Sequence, residues 1–469
     1  MKEQEKTNLV LAGKIREEEF GGIYYERNRL VIELLNETAY EILKLCEQGL
    51  SVKEIEAYLL KEYDAPQELI KGNLEEYLEY LRQSRFLLSD EVAASQDTKV
   101  NVDKIPMTDA ANRQYTLGFP PYVLSAPLKV LLELTHNCNL KCGHCFADAD
   151  YCKKSEKGYM EGELTTEQWC KVIDNILDAG VFEILLSGGE ATMRKDLLDI
   201  AAHIQKRGAS YCLLSNTTLI DDAMAKKLKE TGCEKVESNM DGYDAETYDR
   251  FRGVEGSFGA TLKGIKACLD NDLPVRCNVM ETKMNIFDLK KIVDKAYEIG
   301  VREVCVVPLE SGGRAKVNAH LAFGEEDMPA LNAFYKDVSA WFDEKYGKTD
   351  MVLFTPNMLS PDQEGRFAKV FDISGLMPSC GAGKIHCTID PYGDIKLCPS
   401  DDNVLKKEGN NLLTRDLKEI WRESDTLNWI RGGEFSNCQN CKKGCEFSCP
   451  LARSERKEEY HCSFERRTN

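Results

Sequence analysis

The chain has 469 residues, more than one hydrophobic core usually supports, so two or three domains are expected. Its formal charge of -18 argues against general nucleic-acid binding, because that affinity depends on Lys and Arg displacing counterions from phosphates. It has no apolar run of about eighteen residues, and its start, M-K-E-Q-E-K-T-N, lacks the features of a signal peptide. We therefore expect a cytoplasmic, soluble protein that binds neither nucleic acid nor membrane.

The chain contains nineteen cysteines. A reducing cytosol does not sustain a disulfide framework, so metal or cluster ligation is the expected role of cysteine groups. Three cysteines lie within residues 138–145 and eight within residues 380–462. The other eight are scattered, and we expect them to be small buried apolar residues. These are Cys46, Cys152, Cys170, Cys212, Cys233, Cys268, Cys277 and Cys305.

Residues 1–90 combine short strand-like runs with three helical patterns. The runs lie at residues 8–12, 23–25 and 30–34. Asn36 is placed to cap a first helix that ends at Gly49, and S-V-K-E at residues 51–54 is a capping box that opens a second helix. A third helix follows, with Leu at three-to-four spacing. This order predicts a small winged-helix-like domain.

The charge of this domain argues against DNA binding, since residues 1–90 carry 12 Lys and Arg against 19 Asp and Glu. The order of elements resembles the peptide-recognition element of ribosomally made peptide pathways, the fold of the peptide chaperone of pyrroloquinoline quinone synthesis. That resemblance implies binding of a leader peptide as an added strand at a sheet edge beside a helix. A generic helical accessory domain is the alternative. Residues 91–126, which contain G-F-P-P-Y, are predicted to be a linker.

Strand-like runs alternate with helical segments six times in residues 127–345. The runs lie at residues 130–135, 182–187, 210–216, 235–239, 275–280 and 303–309. This alternation predicts β/α units on a parallel sheet, and hence an α/β fold with a partial (β/α)6 barrel. Ligands of such folds gather at the carboxyl ends of the strands.

The first of these strands leads directly into H-N-C-N-L-K-C-G-H-C, which contains Cys138, Cys142 and Cys145 in C-x3-C-x2-C spacing. The spacing resembles that of the radical S-adenosylmethionine (SAM) superfamily. The resemblance implies that three thiolates bind three irons of a 4Fe-4S cluster and leave the fourth iron open for SAM. A zinc site completed by His136 or His144 is the alternative.

The second strand ends in L-S-G-G-E, which favours the cluster over zinc. In the family a Gly-Gly-Glu segment lies against the SAM amino group, so Gly188, Gly189 and Glu190 are candidate SAM-binding residues. Glycine permits close backbone approach, and a carboxylate can accept a charge-assisted hydrogen bond from an ammonium. His144 occupies the position where the family usually has an aromatic residue near the adenine.

Two later strand ends carry further candidate SAM contacts. Ser215 and Asn216 end the third strand and resemble the ribose-contacting segment of the family. Ser238 and Asp241 follow the fourth strand, also near SAM or substrate in relatives. Polar turn residues of purely structural role are the alternative for all four. We interpret S-G-G-R-A at residues 311–315 as structural.

A second cysteine array follows a bridging segment, predicted at residues 346–378. Residues 379–469 resemble the SPASM domain, which binds two auxiliary 4Fe-4S clusters; Gly393 and Cys398 match its opening signature. Its middle signature, C-x2-C-x5-C-x3-C, is C-x2-C-x3-C-x3-C here, so the loop before Cys445 is shorter by two residues. The family pattern assigns one auxiliary cluster to Cys380, Cys387, Cys398 and Cys449, and the other to Cys438, Cys441, Cys445 and Cys462. A pair of zinc sites is the alternative.

The combined architecture resembles radical SAM maturases that cross-link a ribosomally made precursor peptide. The resemblance implies SAM and three 4Fe-4S clusters as cofactors, a precursor peptide bound through its leader, and an electron donor such as flavodoxin or ferredoxin. Thioether formation is favoured because it is frequent in families with this architecture. Carbon-carbon cross-linking and oxidation of a protein residue, as in sulfatase activators, are the enzymatic alternatives, and a metal-binding regulator is the non-enzymatic one. The sequence identifies no catalytic acid or base.

Overall fold

A computed structural model describes residues 10–26, 31–84, 86–88, 123–151, 157–309, 312–355, 381–401 and 405–432. The chain forms two compact units that divide near Val123.

The first unit contains a three-stranded antiparallel sheet and three helices. The strands are β2 (Lys14–Glu18), β3 (Gly21–Glu26) and β4 (Val31–Leu35), in the order β2-β3-β4, and β1 (Val10–Leu11) pairs separately with β5 (Leu87–Leu88). The helices are α1 (Glu37–Glu47), α2 (Val52–Glu62) and α3 (Gln67–Gln83). The strand at Lys14–Glu18 was not predicted, because K-I-R-E-E has almost no apolar alternation.

Local sequence signals explain the helix boundaries of this unit. Asn36 caps α1 by accepting a hydrogen bond from the backbone N–H of Ala39, and Gly49 adopts a φ of 79° just beyond its end. Ser51 and Glu54 form the predicted capping box at the start of α2. The apolar faces of the helices meet in one core, to which α3 contributes a buried stripe of Ile70, Leu74, Leu78 and Leu81.

The second unit is built on a nine-stranded sheet, and its six central β/α strands are all parallel. These strands are β6 (Lys129–Glu133), β9 (Glu183–Ser187), β10 (Tyr211–Leu214), β11 (Cys233–Asn239), β12 (Val275–Glu281) and β13 (Glu303–Pro308). The helices that connect and follow these strands are α4 (Thr166–Asp178), α5 (Leu197–Lys206), α6 (Asp222–Glu230), α7 (Ala245–Arg252), α8 (Ser257–Asp270), α9 (Leu289–Glu298) and α10 (Met328–Tyr346). The predicted α/β fold with six β/α units is confirmed.

Both edges of the sheet are extended by strands outside the six units. The strand β14 (Val352–Phe354) lies parallel to β13, within the segment predicted as a bridge. On the other edge, β15 (His386–Ile389) runs parallel to β6, and β16 (Ile395–Lys396) pairs with β15 as a hairpin. The cysteine-rich segment therefore begins as part of the barrel sheet, next to the strand that leads to the first cysteines. Two short helices follow, α11 (Leu417–Glu423) and α12 (Asp425–Gly432). Outside this sheet, two short strands, β7 (Asn137–Cys138) and β8 (Asp150–Tyr151), pair with each other.

Within the ranges given above, no helix combines the length and the apolar character needed to cross a membrane.

Candidate functional site

The cysteine loop, residues 136–145, leaves the carboxyl end of β6. Cys138 and Cys142 are buried and Cys145 is partly buried. Burial raises the pKa of the Cys138 thiol to about 12, and the negative charge of Glu190 adds to the effect. A thiol in this environment is a poor free nucleophile. Binding of a cation is what would favour its deprotonated form, as expected of a ligand.

Gly188 and Gly189 hold the end of β9 against the cysteine loop. Gly188 has a φ of 130°, and a Cβ there would lie 2.5 Å from the Thr135 carbonyl oxygen. A Cβ on Gly189 would overlap the carbonyl group of Asn137. The Gly189 N–H donates to the Thr135 carbonyl at 2.6 Å, and the Glu190 N–H donates to the Asn137 carbonyl at 2.8 Å. Glycine is therefore required at both positions by this close backbone approach.

Glu190 is buried and links the ends of β9 and β10. Its Oε1 accepts from the Ser215 hydroxyl at 2.8 Å and from the Thr192 N–H at 3.1 Å, and its Oε2 accepts from the Asn216 N–H at 2.7 Å. These donors fix the orientation of the carboxylate. Glu190, Ser215 and Asn216 therefore belong to one hydrogen-bonded group.

Asn216 also connects this group to the cysteine loop. Its side-chain amide donates to Asn139 Oδ1 at 2.8 Å, and Asn139 in turn donates to the Thr218 hydroxyl at 2.7 Å. Ser238, which is fully buried in β11, contacts the Thr217 hydroxyl at 3.0 Å. The predicted residues at the ends of β10 and β11 are thus brought together with the loop.

Asp241 reaches the cysteine loop through Arg252, a residue that the sequence analysis did not identify. Arg252 ends α7, is buried, pairs with Asp241 and donates to Cys142 Sγ at 3.5 Å. Asp241 also accepts from the Met280 N–H at 2.6 Å. Burial alone would lower the pKa of Arg252, but the negative charges of Asp241 and of a Cys142 thiolate together raise it. The guanidinium therefore stays charged beside Cys142.

His144 packs against Phe251, with ring centroids 4.6 Å apart, immediately before Arg252. Burial lowers the pKa of His144 well below its ordinary value, and the positive charge of Arg252 adds to the effect, so the imidazole is neutral. Its Nδ1 is buried and has no hydrogen-bond partner among the described residues. A nitrogen heterocycle bound beside His144 could form a hydrogen bond with this atom.

The segment S-G-G-R-A at residues 311–315, which we interpreted as structural, contacts the same cysteine loop. Arg314 donates to the carbonyl oxygens of Cys142 at 3.0 Å and Ala149 at 2.7 Å, and its backbone N–H donates to the Cys145 carbonyl at 2.9 Å. Asn318 donates to the Gly143 carbonyl at 3.0 Å. Ser311 lies outside the described residues.

A buried carboxylate and a buried guanidinium, both missed by the sequence analysis, fix the start of the loop. Glu163 accepts from the Thr135 hydroxyl, the His136 N–H and the Met160 N–H, each at 2.7 Å. Arg194 donates to the Leu134 carbonyl at 2.9 Å and pairs with Asp196 at 2.7 Å. Neither residue belongs to a motif, and their partners at Leu134, Thr135 and His136 lie about 30 to 60 residues away in the chain, so no local signal could have found these contacts.

The residues present fit a three-thiolate cluster with SAM beside it. The three cysteines lie on one loop, and the two glycines allow the end of β9 to approach that loop closely. The carboxylate of Glu190, held by its hydrogen bonds, lies at the same edge of the sheet as His144 Nδ1, which has no partner among the described residues. Within the described ranges, no three His, Cys, Asp or Glu side chains are grouped as ligands of a single metal ion. The ligand roles of the three cysteines and the SAM contacts stay predictions.

Two of the eight predicted auxiliary ligands lie within the described residues. Cys387 is buried in β15, where burial raises the pKa of its thiol to about 12, and Cys398 follows β16 by two residues. Between β6 and this hairpin, Lys396 forms a buried ion pair with Glu133 at 3.0 Å. The other six lie outside the described residues: Cys380, Cys438, Cys441, Cys445, Cys449 and Cys462.

Three family models match successive parts of the chain. The model for coenzyme PQQ synthesis protein D (PqqD) matches residues 25–87, the radical SAM superfamily model matches residues 132–299, and the iron-sulfur cluster-binding SPASM model matches residues 380–446.

Among the proteins similar to this chain are two that match it in sequence and one that matches it in structure. An Fe-coproporphyrin III synthase from Methanosarcina barkeri is 40% identical over 205 residues, which cover 43% of this chain and 49% of that protein, so the match spans about half of the relative. A PqqA peptide cyclase from Rhizobium meliloti is 23% identical, covering 68% of this chain and 80% of that protein. The structure of Streptococcus suis SuiB bound to precursor peptide SuiA has a TM-score of 0.66 at 17% identity, covering 97% of this chain and 98% of that one.

Proposed function

The chain is a radical SAM enzyme with an N-terminal PqqD-like domain and a C-terminal SPASM domain, and we propose that it cross-links a ribosomally made precursor peptide. The observation that carries the proposal is the combination, in one chain, of the braced cysteine loop with a PqqD-like domain that has its own core. The likeness to SuiB extends over nearly the whole chain and supports the same architecture.

The cysteine loop and the Gly188–Glu190 turn are proposed to hold the cluster and SAM. Bound to a reduced cluster, SAM supplies a 5'-deoxyadenosyl radical, which can remove a hydrogen atom from an unactivated carbon. Glu190 would accept a hydrogen bond from the SAM ammonium, and its existing donors hold it in place for that contact. Arg252 would place positive charge beside Cys142, where a thiolate ligand of the cluster would lie.

The PqqD-like domain is proposed to bind the leader of the precursor. Strands β2 and β4 are the two edges of its three-stranded sheet, and β4 lies beside α3, where Tyr80 donates to Glu33 at 2.7 Å. A leader strand added at β4 would lie next to a helix, as β-augmentation requires. The acidic charge of residues 1–90 favours a leader that carries basic residues.

The bond proposed first is a thioether between a cysteine sulfur and a peptide carbon. Formation of that bond removes one hydrogen atom from the carbon and one proton from the thiol, and it releases one electron. The two auxiliary clusters of the SPASM domain are proposed to accept this electron. Together with the SAM-binding cluster, they would make three 4Fe-4S clusters in total. A flavodoxin or ferredoxin would reduce the first cluster, and the nineteen cysteines would stay reduced in the cytoplasm.

The test uses the anaerobically purified protein with dithionite, SAM and candidate precursor peptides from short reading frames beside its gene. The expected product is lighter than the peptide by two hydrogen atoms, and fragmentation should locate a linkage at a cysteine. Loss of two hydrogen atoms without a linkage to sulfur would favour a carbon-carbon cross-link. An unmodified peptide, together with oxidation of a folded protein substrate, would favour an activator-like function.

A tetrapyrrole substrate is the second candidate, because the relative with 40% identity is an Fe-coproporphyrin III synthase. In that case the PqqD-like domain would dock a protein and not a leader peptide. Incubation with an iron tetrapyrrole, SAM and reductant, followed by absorption spectroscopy and mass spectrometry, separates the two. A change in the mass of the tetrapyrrole, with no change in the peptide, would replace the peptide proposal.

A further inference from the structure

The inner face of the barrel sheet carries polar side chains that the cysteine loop and its partners do not use. On β12, Val275, Cys277 and Val279 belong to the apolar core, whereas Arg276 and Asn278 alternate with them and face the other side. A parallel strand covered on both faces by apolar layers would be apolar throughout. The alternation therefore indicates that β12 is polar on its inner side.

The charges of this face balance one another. Arg276 pairs with Glu237 at 2.7 Å, Lys235 pairs with Glu303 at 2.7 Å, and Lys129 approaches Glu183 at 3.7 Å. Within these three pairs, the three cations are matched by three carboxylates. A group bound against this face would be favoured if it were polar and uncharged, because it would need no counter-ion.

Two polar atoms of β12 on this face are buried and have no partner among the described residues: Arg276 Nε and Asn278 Oδ1. The orientation of the Asn278 amide is fixed, because its Nδ2 donates to Glu237 at 3.3 Å and a carboxylate can only accept. The face thus presents one N–H donor and one oxygen acceptor, two residues apart on one strand. Polar atoms of this kind are costly to bury without partners, so a ligand that pairs with both is stabilised.

The strand register places these atoms level with the proposed SAM site. Glu237 pairs with Leu214 on one side and with Arg276 on the other, and Asn239 pairs with Asn278. Asn278 therefore lies at the height of Asn216, two strands or about 10 Å away across the sheet. A group held by Arg276 and Asn278 would lie inside the barrel, beside the SAM contacts.

We propose that Arg276 and Asn278 bind one amide-bearing residue of the substrate peptide and position it for hydrogen abstraction. A residue in extended conformation points its own N–H and C=O to the same side, as in a β-ladder. Its carbonyl would accept from Arg276 Nε–H, and its N–H would donate to Asn278 Oδ1. This assignment rests on the proposed function, since it names where the substrate of that reaction binds.

The test compares Asn278→Leu and Arg276→Lys with the wild type, each with full iron content. Asn278→Leu removes the acceptor at similar volume, and Arg276→Lys keeps the charge opposite Glu237 but moves the donor. Each is expected to raise the KM for the peptide at least fivefold while the Kd for SAM changes less than twofold. The matched control, Lys235→Gln/Glu303→Gln, removes a neighbouring ion pair of the same face and should leave the peptide KM unchanged.

The outcomes separate this inference from the function on which it rests. If the wild type modifies no peptide, the proposed function fails and this inference fails with it. If the wild type modifies the peptide and both variants keep its KM, the inference alone is overturned. A parallel loss of SAM affinity would assign the two groups to SAM and overturn their role in substrate binding. If Asn278→Leu loses its iron, Arg276→Lys decides the question.

Discussion

Replacing Arg252 by Met should destabilise the barrel and empty the first cluster site. Arg252 and Asp241 are both buried, and Arg252 also donates to Cys142 Sγ. Removing one partner of a buried ion pair costs about 3–5 kcal/mol, because the remaining charge is left without compensation. The donor to Cys142 Sγ would also be lost.

A double variant separates these two effects. Asp241→Asn/Arg252→Met removes both charges, keeps an acceptor for the Met280 N–H, and should recover most of the thermal stability that Arg252→Met loses. It should not recover SAM cleavage, because the contact with Cys142 is still absent. The assays are thermal unfolding, iron content and release of 5'-deoxyadenosine from the anaerobic enzyme. Equal stability of Arg252→Met and wild type, or full SAM cleavage by either variant, would refute this reasoning.

Three further predictions follow from the fold and the motifs. Replacing the three cysteines of the cysteine loop by Ala should remove about a third of the iron and all SAM cleavage, as expected if one of three cubane clusters is lost; retained cleavage would argue against the ligand assignment. Gly189→Ala should abolish SAM cleavage because its Cβ would overlap the Asn137 carbonyl, whereas Gly259→Ala, on a helix with open space around it, should retain full cleavage; equal cleavage by both would contradict the close approach. Deletion of residues 1–90 should weaken precursor binding, measured by fluorescence anisotropy, and leave slow SAM cleavage without substrate intact; equal modification of the precursor by both forms would exclude leader recognition by this domain.

The fold and the strand-end motifs were accessible from the sequence, because both depend on local patterns. The six β/α strands were found by their apolar runs, and G-G-E was recognised because its position at a strand end agrees with the topology. The caps at Asn36 and Ser51 were also read correctly, since a cap is formed within four residues.

The residues that brace the cysteine loop could not be found in this way. Glu163, Arg194 and Arg252 act through contacts that join distant parts of the chain, and each lies in a helix or turn with no distinguishing motif. The same holds for β15, whose pairing with β6 depends on residues about 260 positions apart. A usable signal did exist on β12, where V-R-C-N-V alternates apolar and polar residues and so indicates a polar inner face.

Peptide cross-linking can be measured in one reaction of the reduced enzyme with SAM and the candidate precursor peptides. We expect a peptide lighter by two hydrogen atoms, cross-linked internally, with one 5'-deoxyadenosine formed for each product. Formation of 5'-deoxyadenosine with an unchanged peptide, together with conversion of an iron tetrapyrrole under the same conditions, would show that the protein is not a peptide cross-linking enzyme.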